Sequence, residues 1–229
     1  MSITVLTPTI RPEGLQAVKK SLDRQTEDCE WLIGSPFDPK MGKWVRDDFA
    51  GGVWTLNRMY NKMIKEASGD LIISIQDHTS FNPDALERFE SHFKINPNAI
   101  ISGVGNKYSE VYPLGEILWK DPRETGQGFR KVPFYEIEFN FCAIPKHLLY
   151  RVGGFDEGMD FKFFGMDAYD VVRRLANTGH TDFYIDESIR SYSLTHGRVI
   201  NWEEKNGIHG EYERHYRERS KDVLSFIAR

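Results

Sequence analysis

Strand-like and helix-like segments alternate through the first ~105 residues, and this alternation limits the folds open to the chain more than any other feature. Residues 3–6 (ITVL), 30–33 (EWLI), 70–76 (DLIISIQ) and 99–105 (AIISGVG) read as strands. Between them, residues 11–25, 53–68 and 82–93 read as helices. Leu15, Val18 and Leu22 share one face of the first, and Leu56, Met59, Tyr60, Met63, Ile64 and Ala67 one face of the second. Pro12 and Pro83 suit a first helical turn, with Asn82 as a cap. The order β-α-β-α-β-α-β implies crossover connections and a mostly parallel sheet with helices on its faces. Residues 70–76 are apolar on both faces, as a central parallel strand is.

Sheets of this kind bind ligands at the carboxyl ends of their strands. Three short polar stretches fall at those ends: Thr7-Pro8-Thr9, Gly34-Ser35 and Gln76-Asp77-His78. Taken alone, Asp77-His78 fits a turn in which Asp77 caps the next segment as well as it fits a bound metal and phosphate.

The second half is less regular. Residues 106–134 are rich in Gly, Pro and charge and read as a long surface excursion, a lid or acceptor wall. Strands are expected at 134–145, 182–186 and 188–194, a short helix at 146–152, and a helix at 167–179 with Val171, Val172 and Leu175 inward. Residues 210–229 read as a charged helix, solvated over 211–221. No internal repeat or second domain stands out. A chain of 229 residues fits one domain, here 1–229: a nucleotide-binding half 1–105, an acceptor half 106–200 and a helical tail 201–229.

With 40% hydrophobic and 28% charged residues the composition is that of a soluble globular protein. No apolar run reaches a membrane span, and the N-terminus lacks a signal peptide's basic start and apolar stretch. Cys29 and Cys142 are far apart and strand-flanked, so buried thiols and a reducing, cytoplasmic location are expected. A net charge of −4 argues against a nucleic-acid coat protein but leaves a local basic groove open.

Five elements in order carry a resemblance: TPTIRPEGL, NKMIKEASGDLIISIQDH, VGGFDE, GMDAYDVVRRL and SLTHG. Over roughly residues 2–200 the chain resembles the inverting family 2 glycosyltransferases of GT-A type. The resemblance implies a Rossmann-like three-layer α/β sandwich, a nucleotide-sugar donor held at the strand ends, UDP-linked first of all, and a divalent metal on its diphosphate. The family's D-x-D signature falls at Gln76-Asp77-His78. An amide replaces the first acid, which Gln can serve toward a ribose hydroxyl. Imidazole replaces the last, and His196 matches a late histidine of some relatives. A ligand set of Asp77, His78 and His196 favours Mn²⁺ over Mg²⁺.

The resemblance assigns the base to Asp167, after Gly165-Met166, with Asp170 as its alternative. An N-cap is the plain structural reading of Asp167, while Asp156 and Glu157 read as structural beside a tight Gly153-Gly154 turn. Thr7, Pro8, Thr9 and Arg11 match the first nucleotide loop, and Asp38 stands in for an acid after the second strand. Asn61 matches an asparagine near the diphosphate, with Arg58 and Lys65 as neighbouring cations. Arg11, Arg58 and Lys65 read equally as solvated charges. Trp54, Trp119, Trp202 and residues 108–112 are candidate acceptor platforms or simple packing. The acceptor is a glycan, lipid, protein or hydroxylated DNA base. The last would need Lys40, Lys43, Arg46, Lys107, Arg123, Arg130, Lys131 and Arg198 to cluster.

Overall fold

The computed structural model describes residues 2–48, 55–160, 165–194, 202–219 and 221–228. Ten strands form one sheet: β1 (Ile3–Pro8), β2 (Cys29–Ser35), β3 (Lys43–Arg46), β4 (Leu71–Ile75), β5 (Thr79–Phe81), β6 (Ile100–Tyr108), β7 (Ile117–Trp119), β8 (Phe129–Lys131), β9 (Phe141–Pro145) and β10 (Phe183–Leu194). The main order is β3-β2-β1-β4-β9-β6-β10-β5, with β7 beside β6 and β8 beside β10. β1, β2, β3 and β4 pair in parallel, as the crossover pattern requires. β9 enters antiparallel between β4 and β6. The strand expected at 99–105 therefore points the right way but is one place further from β4.

Helices α1 (Leu15–Leu22) and α3 (Ala85–Ile95) cover one face; α2 (Leu56–Glu66), α4 (Lys146–Arg151) and α5 (Asp167–Asn177) cover the other. Alternation along β1 divides the two cores. Ile3 and Val5 pack with Val18 and Phe89, whereas Leu6 packs with Met59, Met63 and Leu149. Val171, Val172 and Leu175 are fully buried, as their spacing implies. Gly69 is buried because the chain runs against β1 there. A Cβ would lie 2.6 Å from the Thr4 nitrogen, while Ala67 ends α2.

Several expectations shift. Residues 134–145 yield only β9, preceded by a 3₁₀ turn over Phe134–Glu136. The two strands expected at 182–186 and 188–194 are one, β10, with a register irregularity between Ile185 and Arg190. β3, β5, β7 and β8 are too short to announce themselves. The 106–134 excursion is pinned down: Arg123 pairs with buried Asp121 at 2.6 Å, and Arg130 with buried Glu187 at 3.0 Å. The last helix, α6 (Trp202–Arg219), stops earlier than expected, and residues 221–228 return to the core through Ile227. α6 is docked through ions, since Arg219 reaches Asp156 at 2.7 Å and Asp170 at 2.9 Å, and Tyr212 is fully buried. No helix among the described residues is long and apolar enough to cross a membrane.

Candidate active site at the strand ends

Parallel pairing puts the ends of β1, β2 and β4 on one edge, and the loops that leave them meet there. Thr9, just past β1, ties its N–H to the Gly34 carbonyl at 2.8 Å, locking two loops together. Its hydroxyl donates to Asp77 Oδ2 at 2.5 Å and accepts from the Arg11 N–H at 2.9 Å. Arg11 completes the cluster, with Nε on Asp77 Oδ2 at 3.0 Å and Nη2 on Oδ1 at 2.5 Å. Asp77 is 4% exposed. Its neighbour His78 turns the chain at φ +57°, a left-handed geometry that non-glycine residues adopt rarely. His78 Nε2 lies 3.7 Å from Glu13 Oε1.

That turn is supported from below by Gly14, whose carbonyl accepts from the His78 N–H at 3.0 Å. A Cβ on Gly14 would stand 2.6 Å from His78 Cδ2 and 2.9 Å from Asp77 Cβ. Gly14→Ala should displace the Asp77-His78 turn. Overpacking of this kind costs about 1–3 kcal/mol, so a thermal melt should show a Tm lower by several degrees and weaker nucleotide binding. Sequence reasoning passed over Gly14; the signal was a glycine at the N-cap of α1, where a side chain with a capping oxygen commonly stands.

The first turn of α2 forms the second side. Asp160 accepts from the Asn57 N–H at 2.8 Å, from Asn57 Nδ2 at 3.0 Å and from the Arg58 N–H at 3.2 Å. It therefore caps α2 from 103 residues away. Burial raises its pKa above the usual carboxylate range. Asp167 opens α5, half-buried. Burial, with the charges of Asp160 and Asp170, lifts its pKa to about 6 against the pull of two N-terminal amides. The Tyr60 hydroxyl, 2.7 Å from Ser74 Oγ on β4, feels the charges of both Asp167 and Asp77.

The other candidates divide. Gln76 is exposed at the end of β4, its N–H on the Asn140 carbonyl at 3.2 Å. Thr7 and Pro8 are buried, and Trp31 Nε1–H donates to the Thr7 hydroxyl oxygen at 3.0 Å. Arg58 is exposed and pairs with Glu157 at 3.4 Å. Asp38 is exposed and bound to Lys40 at 2.6 Å. Asn61 is turned inward: its side chain meets the N–H and carbonyl of Phe155 at 2.8 and 2.9 Å and Glu157 at 3.0 Å. It ties α2 to the Gly153–Phe155 loop, away from the edge. Lys65 lies in the last turn of α2, ten residues from Thr55, so about 15 Å below the edge. Asp170 is buried against Arg174, Arg219 and Tyr212, leaving Asp167 as the accessible carboxylate of the pair. His196, Arg198 and Trp54 lie outside the described residues, as does the side chain of Trp202. β10 ends with the Leu194 N–H on the His78 carbonyl at 3.0 Å, two residues before His196.

Among the described residues, no three His, Cys, Asp or Glu side chains gather as a metal site. At the strand-end edge His78 faces Glu13 at 3.7 Å, while both oxygens of Asp77 are engaged by Arg11 and Thr9. Most of the described cations that a DNA groove would need are paired with acids. Lys40, Lys43, Arg46, Arg123, Arg130 and Lys131 each pair with an acid, from the β3 edge across to β8. Trp119 is exposed on β7 with Lys107 above its ring at 5.9 Å.

No protein-family profile matches the sequence, and no curated protein matches it. Solved structures do. GalNAc-T7, seen with UDP, GalNAc and Mn²⁺, superposes with a TM-score of 0.68 at 12% identity over 85% of this chain and 44% of its own. S. aureus TarS 1-349 in complex with UDP-GlcNAc gives 0.67 at 12% over 98% and 68%, and S. aureus TarS gives 0.62 at 13% over 94% and 44%. The chain thus spans less than half the length of GalNAc-T7 and of the longer TarS chain. Both are GT-A-type glycosyltransferases, and this chain has the GT-A nucleotide-sugar transferase fold.

Proposed function

We propose that the chain is a glycosyltransferase that moves a sugar from a nucleotide-sugar, UDP-linked first of all, to an acceptor hydroxyl with inversion. One observation carries this reading. A half-buried carboxylate poised at about pH 6, Asp167, opens α5 in a GT-A fold whose strand ends carry the Arg11–Asp77–His78 cluster. A general base works best with a pKa near the operating pH.

In the step proposed, the acceptor oxygen attacks the anomeric carbon as Asp167 takes its proton. The bond from that carbon to the donor phosphate breaks, and the nucleoside diphosphate leaves with the electron pair. Thr9 and the Gly34 carbonyl hold the loops in register for the nucleotide. Arg11 offers charge to its diphosphate. A divalent cation, Mn²⁺ ahead of Mg²⁺, belongs to the reading through its imidazole donors. His78 would hold it, together with His196 from outside the described residues. It would add positive charge at the leaving group.

Residues 1–105 serve the donor in this reading and 106–200 the acceptor, within one GT-A unit carrying the tail 201–229. The acid-paired cations favour a glycan, lipid or protein hydroxyl over a DNA base. Calorimetry with UDP, followed by release of free sugar from UDP-sugars, tests the reading. Micromolar UDP binding with slow donor hydrolysis is expected. Absence of binding to UDP, GDP, CDP and dTDP alike would overturn it.

A further inference from the structure

Resting on the nucleotide-sugar reading, we infer that Asp77 is a positioning residue that acts through Arg11, fixing a built-in cation against the donor diphosphate, and is not a metal ligand. The carboxylate is engaged at both oxygens. Oδ1 takes Arg11 Nη2 at 2.5 Å, and Oδ2 takes Arg11 Nε at 3.0 Å and the Thr9 hydroxyl at 2.5 Å. A divalent ion would have to approach one of these oxygens to about 2.0–2.2 Å, against a guanidinium already seated there. Binding it would mean giving up a bidentate, nearly buried ion pair.

The same contacts aim Arg11. Its inner edge is fixed by two bonds to Asp77, and its backbone N–H is fixed by Thr9. Nη1 bonds to no described residue, and the side chain is 34% exposed at the strand-end edge. A planar fork held along one edge presents the other to an anion, and a diphosphate matches its geometry. Little rotamer freedom is left to lose on binding. His78, one residue on, faces Glu13 at 3.7 Å. Adjacent residues therefore divide two tasks: Asp77 serves the arginine, and any cation falls to His78.

The test is the UDP affinity of the full chain, Asp77→Asn, Arg11→Lys and the double variant, each measured by calorimetry with Mn²⁺ and again with EDTA. Charge-assisted bonds of this kind are worth roughly 10–100-fold in affinity. Each single variant should lose about that factor, the double variant should lose no more than either, and the factors should be the same in EDTA. Thr9→Val, which keeps the ion pair, should lose less, and thermal melts confirm that the compared proteins are folded. An Asp77→Asn loss that vanishes in EDTA makes Asp77 a metal ligand and overturns the inference. Losses that multiply in the double variant overturn it too. UDP binding by the unaltered chain only with metal leaves the donor reading standing and removes this one, whereas no binding in either condition removes both.

Discussion

Asp167→Asn should lower kcat by about 10²–10⁴-fold, the range that general-base catalysis supplies, while leaving UDP affinity near that of the unaltered chain. Asn keeps the shape and an oxygen to meet the α5 amides, but it cannot take the acceptor proton. The pH profile gives an independent reading. Because the folded carboxyl titrates at about 6, kcat should fall about tenfold per pH unit below that point. The sign for stability runs opposite. The unfolded side chain ionises near the ordinary Asp value of 3.8, the folded one only near 6. Between these values the native state holds more protons, so this group makes stability fall as pH rises through the window. Above pH 6 the Asn variant should melt no lower than the unaltered chain, because it carries no buried charge there. A destabilised variant with full turnover would remove Asp167 from the mechanism.

The neighbouring carboxylate should behave in the opposite way. Asp170→Ala removes the partner of Arg174, which is fully buried, and of Arg219, which is 10% exposed. Arg174 also binds the Val152 and Gly154 carbonyls at 2.8 and 2.6 Å, so it cannot swing out to water. Breaking a buried pair from one side costs about 3–5 kcal/mol. For a chain of this size the midpoint should drop on the order of 10 °C. Thermal unfolding followed by circular dichroism measures this, and a drop under 2 °C, itself an estimate of about 1 kcal/mol or less, would show the network to be dispensable. Together the two variants separate the carboxylate proposed as the base from the one that holds α6 and α5 together.

What the sequence made legible follows from where each signal resides. Strand and helix alternation, the inward face of α2 and the convergence of loops on one edge are local patterns, and they hold. Asp170 lies three residues from Asp167, which suggests a shared helical face, yet it also lies four before Arg174, and that pairing decided its place. Arg219 and Tyr212 read as solvated because their partners, Asp156 and Asp170, are 42 to 63 residues away. Asn61 was drawn toward the diphosphate by position, but the Phe155 backbone claims it. Asp77 was visible as an acid at a strand end. Its pairing with Arg11 spans 66 residues and depends on the register of β1 against β4, which no local pattern encodes.

The paired glycines Gly153 and Gly154 imply a tight turn, and both adopt positive φ, 72° and 84°. The tighter constraint comes from the end of the chain. A Cβ on Gly153 would stand 1.7 Å from the Leu224 carbonyl oxygen, and Leu224 and Ile227 bond back to Val152 and Gly153. Ile227 then closes the core beside Gly154 and Asn61. Residues 221–228 thus act as a clasp over a seam beside α2, and limited proteolysis should find Val152–Gly154 protected for as long as that clasp stays closed.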